Sequence, residues 1–301
     1  MRRRAVANVR MQRHPELSTP AQIDAEYNAG ASVPDAADQL RGYTQRAAQA
    51  RERLRCTLDI PFGPTLDETL DIFPAELTTA RPNAPVFVFI HGGYWRALSS
   101  KDFSAIATGL QPLGITTVVV NYSLCPKVTI DEISRQARAA VAWTLRHIGE
   151  YGGNPARVAV GGHSAGGHLT AMCLLARWAE DYGLPADPIK AAVLVSGVYD
   201  IAPLRHSYLQ PQIRLDDGIV ERNSPLFQVR PCRTPALVTW GSDESSEFAG
   251  QSNAFADAWE ANGNRCERLP QPGANHFTAV TGFENSTSAL CRWLATALEA
   301  G

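Results

Sequence analysis

The chain has 301 residues, 45% hydrophobic and 19% charged, with a formal net charge of -2, which fits one large α/β domain or two small ones. No clustered basic excess marks a nucleic-acid surface, and no run approaches the roughly 18 apolar residues of a membrane span. The expected partner is therefore a small-molecule substrate, with no nucleic acid and no membrane.

The start, Met1-Arg2-Arg3-Arg4, is basic, but the next residues give no continuous apolar stretch, so a secretory signal is not expected and Met11 is an alternative start. Pro15, Pro20 and Pro34 punctuate the following segment, and residues 35–53 then place Leu40, Tyr43, Ala47 and Ala50 at helical spacing. Residues 1–52 read as an N-terminal arm and helical extension packing on a single domain, residues 53–301. Runs 55–60 and 68–73, separated by Pro61-Phe62-Gly63-Pro64, read as an antiparallel hairpin. Apolar runs of strand length follow at 86–90, 116–121, 157–160, 191–196, 236–240 and 266–269. Their continuous Val/Ile/Leu character suits parallel strands buried on both faces. Helical patterns lie between them at 102–113, 130–151, 165–181 and 247–262, with a closing helix over 283–298. The sum is an eight-stranded, mostly parallel, doubly wound sheet. Residues 200–231, with four prolines and no clean period, predict a loop-rich insertion over the strand ends.

Two segments at strand ends carry chemistry. Gly162-His163-Ser164-Ala165-Gly166 follows the strand at 157–160 and opens an Ala/Leu-rich helix. A bare G-x-S-x-G arises by chance in roughly one chain in ten of this length. Here it has the strand-turn-helix context that exposes a serine nucleophile, Ser164. His91-Gly92-Gly93-Tyr94-Trp95 follows the strand at 86–90; main-chain N–H groups around Gly92, Gly93 and Tyr94, with that of Ala165, would form an oxyanion hole. The base follows the nucleophile and the acid in this fold type. His168 lies in the nucleophile helix and His206 in the insertion, which leaves His276 in Pro272-Gly273-Ala274-Asn275-His276-Phe277. For the acid, counting three residues past Gly241 favours Glu244, with Asp243 as the alternative and Asp200 as a third candidate. The six cysteines include no C-x-x-C pair and read as reduced thiols of a cytoplasmic protein.

With these motifs in place, the chain resembles the α/β-hydrolase type of kynurenine formamidase (arylformamidase), close to the hormone-sensitive-lipase-like esterases. That family carries H-G-G-x-W, here residues 91–95. The likeness extends through Leu70-Asp71-Ile72-Phe73-Pro74, Val195-Ser196-Gly197-Val198-Tyr199-Asp200, Asn223-Ser224-Pro225, and Glu247-Phe248 with Gln251-Ser252. The resemblance implies an α/β-hydrolase fold and cleavage of an aryl formamide such as N-formylkynurenine through an acyl-serine intermediate. A carboxylesterase acting on short acyl or aryl esters is the alternative. The family pattern places the triad carboxylate three residues before the Glu-Phe pair, which is Glu244 here; the animal members look to have Asp at that point. Tyr94 and Trp95, next to the nucleophile, are candidates to wall the substrate's aromatic side, and residues near Tyr27 and Tyr208 are candidates to cover it. No cofactor or metal is implied: H-E-x-x-H is absent, and His163 and His168 are expected to serve the elbow and its helix. A homodimer is left open.

Overall fold

Alternation along single strands sets the layering of this protein. In the computed structural model, which describes residues 19–75 and 83–299, eight strands form one sheet. They are β1 (Thr57–Pro61), β2 (Thr69–Phe73), β3 (Ala84–Ile90), β4 (Thr116–Val120), β5 (Gly153–His163), β6 (Ala191–Val195), β7 (Ala236–Gly241) and β8 (Cys266–Gln271). All seven residues of β3 are buried. Val86, Val88 and Ile90 enter one core and Phe87 and Phe89 the other, because successive Cβ atoms point to opposite faces of a strand.

The strand order is β1-β2-β4-β3-β5-β6-β7-β8. β2 is antiparallel to β1 and β4, while β3, β4 and β5 to β8 pair in parallel. The parallel strands therefore open their C-terminal ends on one edge, where ligands bind in open α/β sheets. The main helices are α1 (Pro20–Tyr27), α2 (Ala36–Arg53), α3 (Ile130–His147), α4 (Ala165–Leu174), α5 (Ser246–Ala261) and α6 (Ala289–Glu299), with α1 packed on α5 and on residues 202–206. Ile133 of α3, Leu169 of α4 and Phe255 of α5 pack in the core with Val86 and Val88; Tyr43 of α2 and Leu290 and Leu294 of α6 pack with Phe87 and Phe89. The expected α/β-hydrolase architecture, doubly wound and mostly parallel, is what the chain forms.

Three expected helices come out differently, each where side-chain polar groups or proline compete with the helical ladder. Residues 102–113 are a series of 3₁₀ turns around a single helical turn, Ala107–Leu110. Asp102 is tied back to the N–H and hydroxyl of Ser99, and Pro112 lacks a donor. The stretch 165–181 breaks after Leu174 and resumes at Trp178–Tyr182, where the Trp178 indole donates to the Cys173 carbonyl. The closing helix starts at Ala289 instead of 283, because the Asn285 side chain accepts from the N–H and hydroxyl of Thr287. The expected loop-rich insertion contains short helical segments, Ala202–His206, Gln210–Ile213, Asp217–Arg222 and Pro225–Phe227. Among the described residues no helix is long and apolar enough to cross a membrane. The starts Met1 and Met11 and the basic N-terminal segment lie outside the described residues.

Candidate active site

The bend at Ser164 is made by backbone contacts that only glycine permits. β5 ends at His163, Ser164 takes φ +57° and ψ -119°, and α4 begins at Ala165. A Cβ on Gly162 would lie 2.4 Å from the Gly166 carbonyl, and one on Gly166 would lie 1.9 Å from the Ile90 carbonyl oxygen. Both obstacles are main chain and cannot swing aside. Gly166→Ala is therefore expected to cost about 1–3 kcal/mol of stability through overpacking. Gly250→Ala on α5, where an added Cβ meets nothing within 4 Å, is expected to gain up to about 1 kcal/mol. Urea unfolding midpoints of the two variants check the contrast.

The loop after β3 comes to the elbow from the neighbouring strand. Gly93 has φ +107°, and Tyr94 and Trp95 follow with φ +50° and +57°. A Cβ on Gly93 would meet the Ala97 carbonyl oxygen at 2.1 Å, and one on Gly92 would meet the His163 carbonyl oxygen at 2.9 Å and Ser164 Cβ at 3.2 Å. Glycine is thus required both for the turn and for the close approach to the serine. His91 is fully buried; its Nδ1 lies 2.7 Å from the Gly92 carbonyl oxygen and its ring stacks on Tyr122 at 4.1 Å. Burial pushes its pKa down to about 4, which keeps the ring neutral. The Trp95 indole donates to His168 Nδ1 (3.2 Å), and His168 Nε2 donates to the Asn223 carbonyl (2.8 Å). Burial lowers this imidazole to about 4 as well, so one neutral tautomer links the loop, α4 and the insertion.

The turns after β7 and β8 bring an acid to an imidazole. Glu244 Oε2 lies 2.7 Å from His276 Nδ1, and the Glu244 side chain is 0% exposed. Its other oxygen, Oε1, accepts from Ser196 Oγ (2.5 Å) and the Gly241 N–H (2.6 Å). The two turns are fastened together: the Asp243 N–H donates to the Ala274 carbonyl and the Gly273 N–H to Ser242 Oγ. The Asp243 side chain, the alternative acid, is exposed and accepts from Ser242 Oγ. Asp200 is buried and its Oδ1 accepts from the Ala202 N–H. The His276 ring lies between two others, with Phe248 at 4.3 Å and the buried His163 ring at 4.7 Å from it. Desolvation, with His276 alongside, holds His163 well below the usual histidine range.

Ser164, His276, His163, Gly93 and Tyr94 line one cavity of about 230 Å³. Gly92 and Ala165 are not among its lining residues; Gly92 packs behind the serine, and Ala165 follows it at the start of α4. Tyr94 faces the cavity, but Trp95 does not: it is 0% exposed and stands edge-on to His168. Trp95 thus braces the loop from inside the core instead of walling a substrate. Asn28, Gly30 and Tyr43 from the N-terminal extension and Tyr208 from the insertion complete the wall.

Sequence reading did not single out Ser196, Arg96 or Tyr43 at the site. The motif residues Glu247 and Gln251 have their explanation here too. Glu247 accepts from the Tyr27 hydroxyl at 2.7 Å and Gln251 donates to the same oxygen, while the Tyr94 hydroxyl donates to the Tyr27 carbonyl at 2.5 Å. All six cysteines are free thiols.

Residues 87–279 match the model of a family described as alpha/beta hydrolase fold. Kynurenine formamidase of Danio rerio is 28% identical over 284 residues, 91% of this chain and 94% of its own length. That of Salmo salar is 29% identical over 87% of each chain. Esterase LipQ of Mycobacterium tuberculosis is 30% identical, over 73% of this chain and 56% of its own. Among solved structures, a candidate thioesterase from a Silicibacter species superimposes with a TM-score of 0.80 at 26% identity, covering 90% of this chain and 97% of that one.

Proposed function

Because the chain belongs to the alpha/beta hydrolase fold family and is a hydrolase, we propose that it cleaves an aryl formamide such as N-formylkynurenine, with Ser164 as nucleophile, His276 as base and Glu244 as the acid that orients it. The observation that carries this reading is the buried Glu244–His276 contact of 2.7 Å at a cavity that Ser164 also lines.

In the proposed reaction His276 Nε2 takes the Ser164 hydroxyl proton while Oγ attacks the formyl carbon. The carbonyl oxygen becomes an oxyanion held by N–H groups of Gly93, Tyr94 and Ala165, each such donor typically contributing about 3 kcal/mol to the transition state. Collapse breaks the C–N bond as His276 returns the proton to the departing aryl amine, leaving O-formyl-Ser164. Water then gives a proton to His276 and its oxygen to the formyl carbon. The second collapse releases formate, and Oγ regains a proton.

Two features support a formamide as substrate. The formamidase relatives match nearly end to end, whereas the esterase LipQ is matched over about half its length. The cavity is also small against the roughly 300–1,000 Å³ of drug-sized ligand pockets, which suits a compact acyl group on a flat ring better than a long acyl chain. A carboxylesterase would use the same residues, since fold does not decide substrate. The two readings separate in kcat/KM for N-formylkynurenine against 4-nitrophenyl acetate. The expected result is a preference for the formamide of about tenfold or more, whereas formate release at background with brisk ester cleavage would leave the esterase reading in place.

A further inference from the structure

The cavity at Ser164 presents mostly apolar surface. Its tyrosine hydroxyls on Tyr43 and Tyr94 are engaged with the main-chain carbonyls of Phe277 and Tyr27. Among the described lining residues, Arg96 is the only one with a permanent charge. Its backbone N–H donates to the Gly93 carbonyl at 3.0 Å, so the side chain is rooted in the same turn that presents Gly93 and Tyr94.

The Arg96 charge is incompletely matched. Nη1 donates to Gln212 Oε1 at 2.7 Å, and the guanidinium also meets Tyr208, its carbon 5.8 Å from the ring centre and a side-chain hydrogen bond joining the two. Nε is buried without a hydrogen-bond partner, and no carboxylate among the described residues forms an ion pair with the group. The acid close by, Asp24, accepts from the Tyr208 N–H at 2.7 Å instead. A buried donor left unmet is unfavourable, and guanidinium is the side chain whose planar fork fits a carboxylate.

Resting on the acyl-transfer reading, we propose that Arg96 is a specificity-determining residue that receives a carboxylate on the leaving-group part of the substrate. A formyl group needs almost no room, so the leaving group fills the cavity and carries its anion to the Arg96 side. The substrates of this site are then acids: aryl formamides or esters that bear a carboxylate as well as the scissile bond. Neutral analogues leave Nε unmet and bind less well.

Isothermal titration of 4-phenylbutanoate and 4-phenylbutanamide into the full-length protein tests this without turnover. The expected wild-type result is about tenfold tighter binding of the acid, the lower end for a charge-assisted bond because Arg96 is only half-buried. Arg96→Gln removes the preference, and Arg96→Lys, which keeps the charge and loses the fork, retains part of it. Equal wild-type affinities, including no binding by either compound, overturn the proposal. So does a preference that survives Arg96→Gln. Formate release from N-formylkynurenine, measured on the same preparation, separates the two layers. Release without an acid preference leaves the formamidase reading standing and removes Arg96 from it, while an acid preference without release does the reverse.

Discussion

Formate release by a Ser164→Ala variant is expected to fall by a factor on the order of 10⁴ to 10⁶, the loss seen when the nucleophile of a serine hydrolase is removed. Its stability is expected to stay within about 0.5 kcal/mol of wild type. The Ser164 side chain makes no capping hydrogen bond to the N-terminus of α4, so alanine removes only a hydroxyl facing the cavity. A third residue at this position sharpens the test. Ser164 is held at φ +57°, ψ -119°, where a Cβ is strained by about 1–3 kcal/mol. Ser164→Gly is therefore expected to be as inactive as alanine yet to unfold at higher denaturant. Loss of activity with gain of stability at one position is the signature of a side chain kept for chemistry. Urea titrations beside a formate assay read both. An alanine variant retaining more than about a hundredth of wild-type turnover would remove Ser164 from its proposed role.

Much of the site is legible in the sequence because it is made of local backbone constraints. Gly162, Gly166, Gly92 and Gly93 are glycines because neighbouring main chain occupies the volume of a Cβ, and such a requirement leaves its mark in a short motif. The alternation of β3 between two cores is readable for a similar reason: strand geometry assigns each residue a side with no knowledge of its partners. Helix ends are another matter. At 102, 175 and 285 the deciding groups are Ser, Asp, Asn and Trp side chains that find a nearby backbone partner, and the hydrophobic period carries no record of that choice.

What could not be read is whatever depends on distant chain. Tyr27 and Glu247 are 220 residues apart, and Tyr43 and Phe277 are 234 apart; neither pair has a spacing rule. Trp95 shows the converse difficulty. An aromatic in the Gly92-Gly93 loop suits a substrate wall as well as a brace, and the choice depends on whether His168 accepts its indole N–H. The N-terminal extension divides the same way: residues near Tyr27 read as candidates to cover the substrate, and Asn28 and Gly30 do line the cavity, whereas Tyr43 reads only as one position of a helical period.

The adjacent carboxylates Asp243 and Glu244 give the most discriminating comparison, because one amide substitution at each changes charge by the same amount. At Asp243 the side chain is exposed and accepts from Ser242 Oγ, so Asp243→Asn is expected to change kcat by less than about threefold. At Glu244 the outcome depends on which way a glutamine settles. Oε1 sits between two donors, Ser196 Oγ and the Gly241 N–H, so the amide oxygen takes that position and the NH₂ is turned toward His276 Nδ1. Facing a donor, Nδ1 must become the acceptor, and the ring proton moves to Nε2. That nitrogen can then no longer take a proton from Ser164. Glu244→Gln is expected to lower kcat by about 10⁴, the scale of the wrong-tautomer variant of a serine protease, with little change in the unfolding midpoint. The same logic makes Ser196→Ala informative in combination. With one of the two donors gone, the glutamine is freer to present its oxygen to Nδ1, so the Ser196→Ala/Glu244→Gln double variant should recover part of the lost turnover. Mild, equal losses at 243 and 244 would place the acid elsewhere. A double variant worse than the product of its parts would show that amide orientation is not what disables the imidazole.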